Sequence, residues 1–245
     1  QLNAKPTLWM AGDSIMQSYA PEDKPVTGWG EMLHTLAQGD AVCCAAHRAD
    51  CPFPQEMRYE LPGLVIDNCA MAGRSSKTFR EEGRLDDIAT HIRPGDLLVV
   101  SFGHNDANRA KAERYVPADA FGESLRPFWD AARSHGAVCI FASPVAMREF
   151  DEAGVCHPSF AAYREAMRAF AAEVGAPFID LGAATAAANT ALGAERCKAR
   201  YMWVGAKQDN AHQQSAGACR TAQAFVQQLL QDTTPALDVL RANFK

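Results

Sequence analysis

Five short apolar runs, each bounded by Gly, Pro or Asp, recur along the chain. They are Thr7–Ala11, Leu64–Cys69, Leu97–Phe102, Val138–Ala142 and Pro177–Leu181. Uninterrupted apolar runs of this length are typical of strands that are buried on both faces of a sheet. The pattern therefore predicts five strands in the interior of one sheet.

Amphipathic stretches separate these runs and predict helices. They are Trp29–Ala37, Leu85–Ile92, Ala118–His135, Ser159–Val174 and Ser215–Gln231. Alternation of strand and helix indicates an α/β fold, a three-layer α/β/α sandwich around a five-stranded parallel sheet. Ligands of such sheets bind beyond the carboxyl ends of the strands. Ser14, Gly73 and Asn105 follow the first three runs, so we expect three functional loops to converge there.

Length and composition favour one domain over residues 1–245. The 245 residues are 48% hydrophobic, which is enough for a full core. No repeat or linker divides the chain. The segment from Gly39 to Leu61 is rich in Cys and Pro, and we predict that it forms a surface insertion.

Charge and hydropathy exclude two classes of partner. The net charge of −5 provides no basic surface for nucleic acid, and no apolar run approaches the roughly 20 residues of a membrane helix. We expect neither nucleic-acid nor membrane partners. The chain begins at Gln1 rather than Met. We expect an upstream segment to have been removed, by a signal peptidase or during preparation, and a secreted or periplasmic protein.

Seven of the eight cysteines fall into two kinds. Cys69 and Cys139 lie in apolar runs and are predicted to be free, buried thiols. Five others lie in polar segments where disulfides staple loops in an oxidising compartment; these are Cys43, Cys44, Cys51, Cys156 and Cys197. A metal site of Cys43, Cys44, His47 and Cys51 is an alternative, although the spacing fits no paired Cys-x-x-Cys pattern.

A serine, a histidine and an aspartate supply the candidate chemistry. A serine hydroxyl attacks only when a histidine removes its proton and a carboxylate holds the imidazole in the right tautomer. Ser14 follows the first predicted strand, and Asp209 and His212 stand three residues apart near the carboxyl terminus. On a helical turn this spacing directs both side chains to one side. The residues predict a serine hydrolase.

Four sequence blocks resemble those of the GDSL or SGNH hydrolases. They are Gly12-Asp13-Ser14, Gly73, Gly103-His104-Asn105-Asp106 and Asp209-x-x-His212, in that order over most of the chain. The stretches Gly28-Trp29-Gly30, Ala72–Ser76 and Arg80–Arg84 are similar to the rhamnogalacturonan acetylesterase-like branch. This branch usually has a hydroxyl or aromatic residue after the histidine. Here Gln213-Gln214 follows, a difference expected to alter the pocket wall.

The resemblance implies the flavodoxin-like SGNH fold and a role for each matched residue. Ser14 is the nucleophile, His212 the base and then the acid, and Asp209 the orienting carboxylate. The backbone N–H groups of Ser14 and Gly73 and the amide of Asn105 form an oxyanion hole, where each donor contributes a few kcal/mol. No cofactor and no metal ion are implied.

Each residue also has a simpler interpretation. Ser14 suits a helix N-cap, Gly73 and Asn105 suit turns, and His212 suits a surface position near a helix start. Asp13 is predicted to bind loop N–H groups. Only the four blocks together favour catalysis.

Substrate recognition is predicted from charge near the site. Arg74, Arg80 and Arg84 follow the second block, and Arg109, Lys111 and Arg114 follow the third. Such cations suit a uronate carboxylate, with solvated surface charge as the alternative. Trp29 and Tyr19 are candidate sugar-stacking surfaces or core residues, and His104 a candidate substrate contact.

These expectations describe a monomeric serine esterase that removes acetyl groups from a pectic, rhamnogalacturonan-like polysaccharide through an acetyl-serine intermediate. Three alternatives stay open: an esterase on acetylated xylan or small acyl esters, a sugar O-acyltransferase with the same triad, and a carbohydrate-binding protein without catalysis, which requires a broken triad.

Overall fold

A computed structural model describes residues 5–39 and 48–244, together with the backbone of residues 43–46. Its strands are β1 (Thr7–Gly12), β2 (Cys43–Ala46), β3 (Met57–Glu60), β4 (Val65–Asn68), β5 (Leu97–Ser101), β6 (Val138–Ala142), β7 (Phe178–Ile179), β8 (Tyr201–Val204) and β9 (Lys207–Gln213). Its helices are α1 (Trp29–Met32), α2 (Ser76–Glu81), α3 (Arg84–His91), α4 (Ala118–Ser124), α5 (Arg126–Ser134), α6 (Ala161–Val174), α7 (Leu181–Leu192), α8 (Ala194–Cys197), α9 (Ser215–Gln231) and α10 (Asp238–Arg241).

The central sheet has the order β2-β3-β4-β1-β5-β6-β7. The five strands β4, β1, β5, β6 and β7 are parallel, as the apolar runs predict. Strand β3 pairs antiparallel with β4, and β2 pairs antiparallel with β3 at the edge of the sheet. The prediction that residues 39–61 form only a surface insertion is therefore wrong, since part of this segment extends the sheet.

Two hydrophobic cores lie on opposite faces of this sheet. Alternate residues of β1 separate cleanly: Leu8 and Met10 pack with α1, α7 and α9 on one face. Trp9 and Ala11 pack with α2 to α6 on the other face. Strands covered on both sides bury every side chain, which explains why they appear in the sequence as continuous apolar runs. The α/β/α layering is confirmed.

Two helices differ from the sequence prediction for local reasons. The stretch 118–135 divides into α4 and α5 at Leu125. Pro127, which lacks a backbone N–H, sits in the first turn of α5 and prevents a continuous helix. Helix α7 is Ala-rich and lacks an amphipathic signature; Asp180 caps it by accepting the N–H of Ala183. No described helix is long and apolar enough to cross a membrane.

The cysteines with described side chains are free thiols. This confirms the prediction for Cys69 and Cys139. It contradicts disulfides at Cys51, Cys156 and Cys197, because each of these three is free. Two of the cysteines in polar segments are buried free thiols. Cys197 is fully buried, and the Cys156 thiol donates to the carbonyl of Met147. The side chains of Cys43 and Cys44, and all of His47, lie outside the described residues.

Candidate active site

A tight turn holds Ser14 at the carboxyl end of β1. The carbonyl of Asp13 accepts the N–H groups of Met16 and Gln17, both at 3.1 Å. The Asp13 carboxyl accepts the N–H of Ile15 at 2.9 Å, which confirms its predicted role in the loop. Ser14 therefore emerges from a rigid strand end.

Ser14, His212 and Asp209 form a hydrogen-bonded chain. His212 Nε2 lies 2.9 Å from Ser14 Oγ, and His212 Nδ1 lies 2.8 Å from Asp209 Oδ2. A carboxylate only accepts, so Nδ1 carries the proton and the Nε2 lone pair faces the serine hydroxyl. The predicted triad is complete and correctly ordered for proton removal from Ser14.

A bulged strand, rather than the predicted helical turn, presents Asp209 and His212. Both lie in β9, where the pairing with β8 shifts between Tyr201↔Gln213 and Met202↔Asp209. Asp209 Oδ1 closes this bulge by accepting the N–H groups of Ala211 at 2.8 Å and His212 at 3.0 Å. The prediction of a helical turn is wrong, because Asp209 builds its own tight turn inside a strand.

The same hydrogen bonds keep Asp209 ionised. Burial raises the pKa of this carboxyl, but the N–H groups of His212 and Ala211 and the imidazole of His212 outweigh burial and leave its pKa below the ordinary value. Asp209 is thus an anion at neutral pH. It stabilises the imidazolium that forms when His212 takes a proton.

The donors of the predicted oxyanion hole are the N–H groups of Ser14 and Gly73 and the amide of Asn105. Within the described residues, no backbone or side-chain acceptor receives the N–H groups of Ser14 and Gly73. Gly73 has φ +78°, a backbone conformation that suits glycine. Asn105 Nδ2 donates to the carbonyl of Arg74 at 2.9 Å, which fixes the amide and leaves its second hydrogen for an oxyanion.

Three further residues hold the loops of these donors in place, and for two of them, Asp106 and Gln17, no role was predicted. Asp106 accepts from the N–H and hydroxyl of Ser76 and from the N–H of Gly103, so one carboxylate links the second and third loops. Gln17 Oε1 accepts the N–H of Ala72 at 2.6 Å. Arg114 Nη1 donates to the carbonyl of Gly73 at 3.0 Å. Asp106 stands beside Asn105 in the third block, and Arg114 was predicted as a cation near the site, whereas no sequence signal pointed to Gln17.

Trp29 is not a substrate contact. Its side chain is fully buried in the core on the α9 side of the sheet, and its ring packs 5.2 Å from that of Phe225. The backbone N–H of Trp29 donates to the carbonyl of Ile15. Its role is to anchor α1 behind the nucleophile turn, and a sugar ring has no access to it.

The predicted cations are largely occupied by protein groups. Arg84 is 7% exposed, pairs with Glu82 at 2.6 Å and lies over the ring of Phe53, which contradicts a role in substrate binding. Arg74 also pairs with Glu82. Arg80 donates to the carbonyl of Ser76 at 3.4 Å. These side chains organise the second loop.

His104 lies beside the triad. Its Nε2 is 3.0 Å from the carbonyl of Val145, so Nε2 carries the proton. Burial, followed by the charge of His212, lowers the pKa of His104 to about 4. The ring of Phe160 packs against it edge-on, with centroids 4.7 Å apart. His104 is therefore a neutral wall of the site at neutral pH.

The two glutamines that follow His212 point away from the nucleophile. Gln213 is buried and its amide bonds Thr221. Gln214 Nε2 donates to the carbonyl of Tyr201. The prediction that these residues alter the pocket wall is wrong, because they secure β9 to its surroundings.

Potential metal ligands cluster away from the triad. Two groups, Cys51 with Glu56 and Asp87, and Glu56 with Asp67 and Cys69, have close ligand atoms. The guanidinium of Arg48 already lies 3.5 Å from Glu56 and 3.7 Å from Asp67, and it also bonds Asp87. This cation neutralises the carboxylates, so we assign no metal to the cluster.

Known proteins are similar to this chain in sequence. The sequence model of the GDSL-like lipase/acylhydrolase family matches residues 10–217. Rhamnogalacturonan acetylesterase RhgT of Bacillus subtilis is 32% identical over 242 residues, which cover 95% of this chain and 93% of that protein. The rhamnogalacturonan acetylesterase of Emericella nidulans is 24% identical over 259 residues, covering 96% and 89%.

A solved structure agrees on the fold. The crystal structure of protein YxiM from Bacillus subtilis superposes with a TM-score of 0.78 at 26% identity, and the match covers 95% of this chain but 58% of that chain. The resemblance inferred from the sequence blocks is thereby confirmed. The family match extends from β1 into α9 and includes every triad residue, and the chain belongs to the GDSL-like lipase/acylhydrolase family.

Proposed function

We propose that this protein is a serine carbohydrate esterase that removes O-acetyl groups from a pectic, rhamnogalacturonan-like polysaccharide. The observation that carries the proposal is the ordered Ser14–His212–Asp209 chain together with the N–H groups of Ser14 and Gly73, which have no acceptor among the described residues. Similarity to RhgT over 95% of the chain supports the substrate class.

The first half of the reaction acylates Ser14. His212 Nε2 removes the Ser14 proton as Oγ attacks the ester carbonyl, and the carbonyl oxygen becomes an oxyanion. The N–H groups of Ser14 and Gly73 and the Asn105 amide donate to it. His212 then gives its proton to the sugar oxygen, and the C–O bond breaks to leave acetyl-Ser14.

Water completes the cycle. His212 removes a proton from the water that attacks the acetyl carbonyl, and the same donors hold the second oxyanion. Collapse of this intermediate returns the proton to Ser14 Oγ and releases acetate. Asp209 remains ionised throughout and stabilises the His212 imidazolium twice in each turnover.

Arg114 supports recognition of a uronate. Unlike Arg74 and Arg84, its guanidinium pairs with no carboxylate among the described residues, and its Nε has no hydrogen-bond partner. Arg114 also bonds the Gly73 carbonyl. An anionic sugar in the site therefore meets a free positive charge next to the oxyanion hole.

Acetate release tests the proposal. Acetylated rhamnogalacturonan, acetylated xylan and 4-nitrophenyl acetate are compared with the native protein and with Ser14→Ala. We expect the highest kcat/KM on rhamnogalacturonan, with loss of all three activities in Ser14→Ala. Faster turnover of xylan overturns the pectic assignment, and acetyl transfer to a sugar acceptor in preference to acetate release shows an acyltransferase.

A further inference from the structure

A second cavity lies beside the loop that carries the nucleophile. It has a volume of about 600 Å³, within the range of ligand-binding pockets. Its walls come from the loop 17–24, from Glu31 and His34, and from residues of the segment 54–59. No triad residue lines it, so it is distinct from the catalytic site.

Tyr19 links this cavity to the nucleophile. The side chain lines the cavity, and its hydroxyl donates to the carbonyl of Ser14 at 2.8 Å. On the opposite wall, Met57 pairs with Asn68 at the carboxyl end of β4, the strand that leads to Gly73. The cavity and the catalytic site therefore share one edge of the sheet, and Tyr19 connects them.

The half-buried ring of His34 lies in the wall of the cavity, and the buried ring of Tyr59 backs it. The rings of His34 and Tyr59 stack with centroids 4.4 Å apart and planes 8° apart, and both residues line it. Met57 and Pro54 extend this apolar wall. Polarised C–H groups of a pyranose pack well on such surfaces, because aromatic faces are electron-rich.

Polar atoms on the wall match a hydroxylated ligand. His34 Nδ1 lies 2.7 Å from the carbonyl of Glu31 and carries the proton. Burial lowers the pKa of His34, so the ring is neutral and Nε2 is an acceptor. Gln55 Nε2 is a buried donor without a hydrogen-bond partner among the described residues. Buried donors left unpaired cost about 1–3 kcal/mol, and a sugar hydroxyl both donates and accepts.

Charge favours a neutral sugar. Asp23, Lys24 and Glu31 are the charged residues among those described on the wall. Lys24 forms an ion pair with Glu31 at 2.5 Å. Its positive charge is therefore offset by Glu31, and the carboxylate of Asp23 leaves the wall with a net negative charge. A uronate carboxylate is disfavoured beside it.

We propose that this cavity binds a neutral pyranose unit next to the acetylated sugar in the catalytic site. The inference rests on the proposed function, because it requires a polysaccharide substrate. With this cavity, the enzyme recognises two sugars of the polymer: the ester-bearing sugar at Ser14 and a neutral neighbour beyond Tyr19.

Two variants separate the parts of the cavity. His34→Phe keeps an aromatic ring and removes the acceptor, and Gln55→Leu removes the donor. Each is expected to lower kcat/KM for an acetylated oligosaccharide about three- to tenfold through KM, the effect of losing one hydrogen bond. Activity on 4-nitrophenyl acetate is expected to stay unchanged. Thr35→Ala, an exposed change on the turn beside His34, is the matched control and is expected to leave every activity unchanged.

Binding separates this inference from the proposed function. Calorimetry with Ser14→Ala measures the Kd of a deacetylated rhamnogalacturonan oligosaccharide, with and without Gln55→Leu. Weaker binding in the double variant supports the subsite even where the wild type releases no acetate from the polymer, a result that overturns only the proposed function. Equal binding, equal losses on all esters, or faster cleavage of long-chain acyl esters by Gln55→Leu overturns the subsite.

Discussion

Replacing Asp209 by Asn tests how this carboxylate determines which nitrogen of His212 carries the proton. Asp209 Oδ1 accepts two backbone N–H groups and Oδ2 accepts His212 Nδ1–H. The two N–H donors hold the amide oxygen of an asparagine in the Oδ1 position. Its NH₂ group then faces Nδ1, which must accept, so the imidazole proton moves to Nε2.

This tautomer removes the base. A protonated Nε2 cannot accept the Ser14 proton, although the side chains keep their positions. The variant also loses the carboxylate that stabilises the imidazolium. Together these changes are expected to lower kcat roughly a thousand- to ten-thousandfold, or about 4–5.5 kcal/mol of transition-state stabilisation. KM is expected to change little, because Asp209 does not touch the substrate.

The assay is steady-state hydrolysis of 4-nitrophenyl acetate over a range of pH. Asp50→Asn is the matched control, because Asp50 also accepts from a histidine, His91 Nε2 at 2.8 Å, on the surface near the amino-terminal edge of the sheet. We expect wild-type turnover from the control and an unchanged thermal transition for both variants. A loss of less than about tenfold in Asp209→Asn would refute the assigned role and show that another group orients His212.

Three further outcomes follow from the geometry. Burial raises the pKa of Asp13 from 3.8 to about 7, so the folded protein binds a proton that the unfolded chain releases, and stability falls as pH rises from about 4 to about 7. Urea unfolding should show Asp13→Asn gaining about 4 kcal/mol relative to wild type between those limits; a pH-independent difference contradicts this. Arg114→Gln should lower kcat on all esters and raise KM selectively for acidic oligosaccharides; equal KM on acidic and neutral substrates removes the carboxylate role. Trp29→Ala should cost about 3–5 kcal/mol in urea unfolding, whereas a selective KM defect on polysaccharide without destabilisation restores sugar stacking.

The sequence predicted the parts of the site that follow strands. Ser14, Gly73 and Asn105 each end an apolar run, and parallel strands bring their carboxyl ends to one edge. The chemistry of a serine nucleophile then required a base and a carboxylate, which Asp209 and His212 provide. The resemblance of the four sequence blocks to the GDSL or SGNH hydrolases then assigned each of these residues its role.

Other features depend on long-range contacts that the pattern does not carry. A spacing of three fits a helical turn as well as a bulged strand, and the bulge in β9 exists because β8 pairs beside it. Tyr59 is the single fully buried residue of β3, so that strand has no continuous apolar run. Trp29 is buried by Phe225, a residue of α9, and no local pattern reveals such a contact.

The identity of the acylated residue tests the central claim most directly. The enzyme is mixed with 4-nitrophenyl acetate, quenched in acid during turnover, and digested for peptide mass mapping. We predict one acetyl group on Ser14, and no acetylated active-site peptide in Ser14→Ala. An acetyl group on another residue, or undiminished acetate release by Ser14→Ala, contradicts the mechanism.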